Sequence, residues 1–365
     1  MRELGSAGFV RQAAVCLVTE PPITGFDLGG AHFKAAQVTR DGRVVTAIQV
    51  PCPLWLGIDR LETALDSALP RLASIGACAV TMTGELADLF PDRATGVQKL
   101  IEALCGRLPA AEHWIYAGQA GFLGPEQASG RTLEVASANW QASAAWIARQ
   151  VPEALFLDIG STTTDIVPLQ GGQVMALGRT DRDRLLSEEL VYTGLTRTPL
   201  MALASSVPFQ GRRQALMAEL FATTADVYRV LGKLDEDVDQ LPAADGGEKT
   251  LAASARRLAR MVGADYSDGT PEAWKELARA FSEAQLHVIH DAILTNLSRG
   301  VLSPDAPLIG AGIGRALVER LASRLDRSCL DASPYFPSVP AAAPWAAHCA
   351  PAAAVALLLN ASRMT

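Results

Sequence analysis

Leu155–Pro168 reads LFLDIGSTTTDIVP, and its pattern decides the fold. The apolar run Leu155, Phe156, Leu157 ends in Asp158. The chain then turns through Gly160 into Ser161, Thr162, Thr163 and Thr164, and after Asp165 it re-enters an apolar run at Ile166 and Val167. This predicts strand, tight turn, strand. Glycine lets a backbone approach an anion closely, and successive N–H groups in such a turn form an anion-binding concavity. The four hydroxyls add donors. Asp158 and Asp165 would repel a phosphate unless a divalent cation stood between them, and Mg²⁺ binds through one or two carboxylates, phosphate oxygens and water. The stretch therefore predicts a site for phosphate and Mg²⁺. A polar hairpin with threonines chosen for strand propensity and aspartates capping the turn would carry similar letters.

A second copy weighs against the plainer reading. Ile23–Val38, ITGFDLGGAHFKAAQV, has a short apolar entry, Asp27, the Gly29-Gly30 pair, a few polar residues and a return through Ala35, Ala36 and Val38. Two such turns, about 130 residues apart, predict a duplicated domain whose halves face each other across a cleft.

With 365 residues, 49% hydrophobic and 19% charged, the chain is long enough for two domains with buried cores. A net charge of −7 and the lack of a basic stripe with interleaved aromatics exclude a nucleic-acid binder. The six cysteines (Cys16, Cys52, Cys78, Cys105, Cys329, Cys349) include no CxxC pair, which fits buried thiols in a reducing cytoplasm. No apolar run approaches the roughly 18 residues of a membrane span. Residues 1–22 read as an N-terminal extension, 23–150 as the first domain and 151–365 as the second, with a helical insertion at about 180–305.

Between the turns, Asp41-Gly42 predicts a hairpin returning through Val44–Val50, Leu54–Ile75 has helical spacing, and Ala77–Met82 reads as a buried strand. The loop Thr83-Gly84-Glu85 then falls at a strand end, where open α/β sheets place ligands. Gly171-Gly172 closes a second hairpin with a return strand at Val174–Leu177. In Arg179–Pro199, Leu185, Leu186, Leu190 and Val191 share a helical face, and Arg197 stands in a loop from which it could reach a phosphate or carboxylate. Asp226 and Arg229 share a helical face, and the acidic segment Asp235–Lys249 reads as an exposed loop. His287, His290 and Asp291 lack the further ligands a zinc site needs. A third glycine turn, Pro307–Leu317 (PLIGAGIGRAL), has Gly310, Gly312 and Gly314 before a helix start, an arrangement that directs N–H groups toward an anion or nucleotide. The Ala-rich segment Ala341–Ser362 predicts a packing helix.

The three turns in this order resemble the actin/sugar-kinase/heat-shock-ATPase superfamily, and DLGG at 27–30 with DIGSTTTD at 158–165 is similar to its hydantoinase/oxoprolinase branch. GFDLGGAHFKAA, LDIGSTTTDIVP, ELVYTGLTRTP and TTADVYRVLG together resemble a narrower family, the aryl-ether-forming transferases of methanofuran biosynthesis, also described as tetrahydromethanopterin-linked C1-transfer pathway proteins. The resemblance implies an α/β protein of duplicated ribonuclease-H-like domains around a central cleft. It further implies a cytoplasmic transferase that joins an (aminomethyl)furan-methyl diphosphate to the phenol of a tyramine- or tyrosine-type (γ-glutamyl) acceptor and releases diphosphate. The residues carried over are Asp27, Gly29, Gly30, Lys34, Asp158, Gly160, Ser161, Thr162, Thr163, Thr164 and Asp165. Mg²⁺ would lie between Asp27 and Asp158; Gly310, Gly312 and Gly314 join the phosphate-binding set; His32, Arg197 and Asp226 are the substrate-binding candidates; and Asp165 or Asp226 would take the phenolic proton. His32 stands where a smaller polar residue is expected. The expected partners are small molecules, without nucleic acid or membrane, and a homo-oligomer is left open. The same turns would also serve an ATP-dependent small-molecule kinase, a hydantoinase/oxoprolinase-like ATPase or a non-catalytic actin-like nucleotide-binding protein, because fold alone does not choose the reaction.

Overall fold

The structure, a computed structural model, describes residues 21–364. Cys16 and almost all of the expected extension at 1–22 lie outside the described residues. Strands β1 (Ile23–Leu28), β2 (His32–Val38), β3 (Val44–Pro51), β4 (Ala77–Met82), β5 (Glu112–Tyr116) and β6 (Phe122–Leu123) form one sheet in the order β3-β2-β1-β4-β5-β6. β1, β2 and β3 are an antiparallel meander, while β4 and β5 run parallel to β1.

The second sheet repeats this plan. β7 (Glu153–Ile159) and β8 (Thr164–Gln170) form the hairpin, and short β9 (Gln173–Val174) and β10 (Leu190–Val191) both pair with β8. After a separate ribbon, β11 (Ser206–Phe209) with β12 (Arg212–Ala215), strands β13 (Leu308–Ala311) and β14 (Cys329–Asp331) complete the order β10-β8-β7-β13-β14, with β13 parallel to β7. The registers show the duplication residue by residue. Asp27 faces Lys34 across β1/β2 and lies beside Thr81 of β4, whereas Asp158 faces Asp165 across β7/β8 and lies beside Ala311 of β13.

The central strands read as almost unbroken apolar runs because both of their faces are covered. Helices Asp59–Ala68 and Arg93–Arg107 bury Leu61, Leu65, Leu100 and Leu104 on the outer face of the first sheet. Helix Pro271–Leu297, started by Pro271 and capped by the Thr270 hydroxyl, buries Leu286, Ile289 and Ile293 with Leu155 and Leu157 of the second. Between the sheets lies a shared core of Phe156, Val167, Trp140 and the alanines of helix Ala350–Met364. That helix packs on β1 so closely that a Cβ at Gly25 would stand 1.9 Å from the Ala352 carbonyl oxygen. The Ala-rich terminus is thus a packing helix, and its small side chains are what permit the approach.

Some local expectations change. The helix predicted over Leu54–Ile75 is confined to Asp59–Ala68 and followed by a 3-10 turn at Leu69–Arg71, where Pro70 interrupts the α-helical hydrogen bonding. The return strand expected at Val174–Leu177 is only Gln173–Val174. The acidic segment Asp235–Lys249 is a strap. Val238 is buried, Asp239 pairs with Arg229 and Lys249, and the Gln240 amide donates to the Gln49 carbonyl of the first lobe at 3.2 Å. His287 and His290 flank Asp291 on the helix surface, and among the described residues no group of three His, Cys, Asp or Glu side chains could hold a metal ion.

Candidate active site

The two aspartate–glycine turns face one another across a cavity of about 410 Å³. Asp27, Gly29, Gly30, His32 and Lys34 line it from the first sheet, and Asp158, Gly160, Ser161, Thr162, Thr163 and Asp165 from the second. Each turn is held from behind. The Gly30 carbonyl accepts from the Leu54 N–H, while the Gly160 and Ser161 carbonyls accept from the N–H groups of Leu195, Thr196 and Arg197. Gly194 makes this second brace feasible, since a Cβ there would stand 2.5 Å from the Ser161 carbonyl carbon. The turns are linked across the cleft by His32 Nδ1, 3.4 Å from Ser161 Oγ.

The floor of the cavity gathers three carboxylates around one ammonium. Lys34 Nζ donates to Asp27 Oδ2 at 3.3 Å, and Asp165 Oδ1 accepts from Arg184 Nη1 at 2.6 Å. Burial pushes Asp158 up to about 7, against Lys34 and with help from Asp165 and Asp27. Burial likewise raises Asp27 against the pull of Lys34, and Asp165 against that of Arg184. Burial would lower the Lys34 pKa, but Asp27 and Asp158 outweigh it and keep the ammonium charged. Burial, then Lys34 and Arg197, drive His32 down to about 3, so its ring is neutral at physiological pH. Asp27 Oδ1, His32 Nε2, Trp140 Nε1 and Arg184 Nε are buried without a hydrogen-bond partner in the protein, and all four residues line the cavity. Buried polar atoms are normally satisfied, so four unpartnered ones around a single cavity set it apart from the packed interior.

Arg197 lies at the wall as expected. Its Nη1 donates to Thr162 Oγ1 at 2.7 Å, and its guanidinium lies over the Trp55 ring, 4.8 Å from the centroid. Other expected residues are elsewhere. Thr164 is buried behind the turn, donating to the Thr193 carbonyl at 2.7 Å. Side chains alternate along a strand, so with Asp165 facing the cavity its neighbour Thr164 points away. Gly310, Gly312 and Gly314 do not line the cavity, and the N–H groups of Gly312 and Gly314 are spent on the carbonyls of Ala347 and Ile159. Their smallness serves packing: a Cβ at Gly312 would stand 2.3 Å from Asp158 Oδ1. Asp226 does not line the cavity either. It is buried in an ion cluster, with Arg257 Nη2 at 2.7 Å and Ser254 Oγ donating to it at 2.7 Å.

Sequence reading missed several cavity residues. Trp55, Ser137, Asn139, Asp181, Arg184 and Tyr192 all line it. Arg184 is buried, with its guanidinium 3.8 Å from the Trp140 ring centroid. Beside the cavity, Glu85 is buried and pushed by burial up to about 7, with Ser137 Oγ donating to it at 2.8 Å.

Two lobes of ribonuclease-H-like topology with a cavity between them define the actin and sugar-kinase class of fold. An acetone carboxylase in its nucleotide-free state shares that fold with a TM-score of 0.53 at 10% identity, over 92% of this chain and 70% of that one. The description of the hydantoinase/oxoprolinase family matches residues 77–353. A (4-{4-[2-(gamma-L-glutamylamino)ethyl]phenoxymethyl}furan-2-yl)methanamine synthase of Methanocaldococcus jannaschii is 31% identical over 80% of this chain and 86% of its own length. A synthase of the same name from Methanococcus vannielii is 28% identical over 48% of this chain and 77% of its own. The chain belongs to the hydantoinase/oxoprolinase family and, within it, to the family of these methanofuran-biosynthesis synthases. Among the described residues no helix is long and apolar enough to cross a membrane.

Proposed function

We propose that this chain condenses an (aminomethyl)furan-methyl diphosphate with the phenol of a tyramine- or tyrosine-type (γ-glutamyl) acceptor, forming an aryl ether and releasing diphosphate. The compound for which the relatives are named, a phenoxymethyl furan with a γ-glutamylaminoethyl tail, is the ether such a condensation would give. What carries the reading is the cavity, in which two aspartate–glycine turns with Lys34 and Arg197 form a cradle for a doubly phosphorylated leaving group.

In the reaction, the bond from the furfuryl carbon to the diphosphate oxygen breaks with its electron pair leaving on diphosphate, and the phenolic oxygen bonds to the carbon. Lys34, Arg197 and the hydroxyls of Ser161, Thr162 and Thr163 stabilise the charge that gathers on the leaving oxygens. Such preorganised electrostatics is usually the largest catalytic contribution. Of the two carboxylates expected to take the phenolic proton, Asp165 lines the cavity and is assigned the role, while Asp226 does not line it. Asp27 and Asp158 fit a hard cation, because Asp27 Oδ1 has no protein partner and the pKa of Asp158 is raised by burial among like charges. They are the residues that would hold Mg²⁺, whose charge would offset that of the diphosphate. Trp55 and Trp140 line the cavity, and their apolar surface would help to keep competing water from the reacting carbon.

The ATP-dependent alternative loses one support, since the late glycine turn gives two of its N–H groups to the protein's own carbonyls. The test is mass spectrometry on the purified protein with Mg²⁺, the furan diphosphate and tyrosine, tyramine or γ-glutamyltyramine, beside an ATP-hydrolysis assay. An ether with at least one acceptor and no acceptor-stimulated ATP turnover is expected. Acceptor-stimulated ATP turnover without any ether overturns the proposal.

A further inference from the structure

Helix Asp181–Leu186 starts at a Thr180 capping box, in which Asp183 N–H donates to Thr180 Oγ1 and Asp183 Oδ2 accepts from the Thr180 N–H and hydroxyl. This fixes which way the helix turns. Arg184 goes inward to Asp165 and Trp140, whereas Leu185 and Leu186 go outward, with Leu186 77% exposed. The apolar positions of this helix are therefore not all core. Leu86 and Tyr192, also exposed, stand beside them, and together they wall an open groove of about 510 Å³ that Arg93 and Arg182 also line. The groove continues the active-site cavity, because Leu86, Asp181, Leu190 and Tyr192 line both.

Contiguous exposed apolar surface rimmed by polar groups marks a binding site, and this one opens onto the reacting centre. Its chemistry is that of an aromatic ring followed by an anion: Tyr192 and the leucines match a phenyl ring and its short alkyl chain, and an arginine fork matches a carboxylate bidentately. We propose that this groove is the acceptor subsite, and that it takes a phenol whose tail ends in a carboxylate, the hydroxyl directed into the cavity and the carboxylate held by Arg182. The assignment rests on the transferase reading and adds to it a selectivity, for acceptors extended by an amino-acid or γ-glutamyl group over bare amines such as tyramine. Arg93, 3.2 Å from Asp181, completes the positive rim and braces the residue at which groove and cavity meet.

The test compares wild type, Arg182→Gln and Leu186→Asp, both changes being at exposed positions outside the cores. Calorimetric titration with γ-glutamyltyramine and with tyramine reads the subsite independently of turnover, and steady-state ether formation reads it in the working enzyme. Arg182→Gln is expected to weaken γ-glutamyltyramine at least tenfold in Kd and KM, to change tyramine less than twofold and to leave kcat alone. Leu186→Asp is expected to weaken both acceptors. Equal effects of Arg182→Gln on the two acceptors, no effect on either, or a change of oligomeric state in place of affinity would overturn the assignment. Absence of ether with wild type counts against the transferase reading, whereas ether formation indifferent to both variants counts against the subsite alone.

Discussion

Replacing Glu85 by glutamine should change how stability depends on pH. In the folded protein this carboxyl is held at about 7, against 4.5 for an ordinary glutamate, chiefly because burial disfavours its charge. A group whose folded pKa is raised binds more protons folded than unfolded across the interval between the two values, so stability falls as pH rises through it. At 1.36 kcal/mol for each unit of pKa, ionising Glu85 costs the wild type about 3 kcal/mol at pH 8, most of which accrues between pH 5 and pH 8. Glu85→Gln keeps an acceptor for the Ser137 hydroxyl and has nothing to ionise. Its new amide N–H₂ replaces the unpartnered Oε2, which adds an offset that does not vary with pH. Urea unfolding of both proteins at unit steps from pH 5 to pH 8 gives the quantity directly. The difference between them should move by about 2–3 kcal/mol in favour of the variant as pH rises, equivalent to about 3 °C in Tm for a chain of this size. A difference that stays constant with pH, or that moves in favour of the wild type, would refute the reasoning.

Gly25→Ala brings a Cβ within 1.9 Å of the Ala352 carbonyl oxygen and should cost about 1–3 kcal/mol as the terminal helix is pushed off β1, read as a lowered urea midpoint. Asp226→Ala removes the carboxylate shared by buried Arg257 and Arg229, which keep Asp245 and Asp239 as partners, so a loss of about 1–3 kcal/mol is expected in unfolding experiments. Any ether-forming activity of the folded fraction should survive that change, since Asp226 does not reach the cavity.

The paired turns were legible because their signal is local: an apolar run, an aspartate, a glycine and a second apolar run fix a hairpin within about 15 residues. Asp27 and Asp158 follow from that pattern, and so do their facing partners Lys34 and Asp165. What the pattern could not fix was direction within the hairpin, and Thr164, adjacent in sequence to a cavity residue, is turned from it by strand alternation. The glycines at 310–314 illustrate a similar ambiguity, because the same small residues serve an anion cradle or a close crossing of strand and turn, and here Ile159 and Asp158 occupy the space. Arg184 was invisible for another reason. Its helix carries charges and leucines in a register that suits several orientations, and only the Thr180 cap and the contact with Trp140 select one. Ser137 and Tyr192 enter the cavity from loops and Trp55 from the single 3-10 turn Leu54–Leu56, too short or irregular for periodicity to carry information.

The central claim is that the two turns hold diphosphate as a leaving group. It is tested most directly by counting diphosphate released against ether formed, in one reaction without ATP, for wild type, Asp27→Asn and Asp158→Asn. One diphosphate per ether in the wild type, with both rates lowered together by about 10²–10³ in each folded variant, is the result expected from losing one preorganised electrostatic contact. Ether formation undiminished in both variants, or an absolute requirement for ATP, would contradict it.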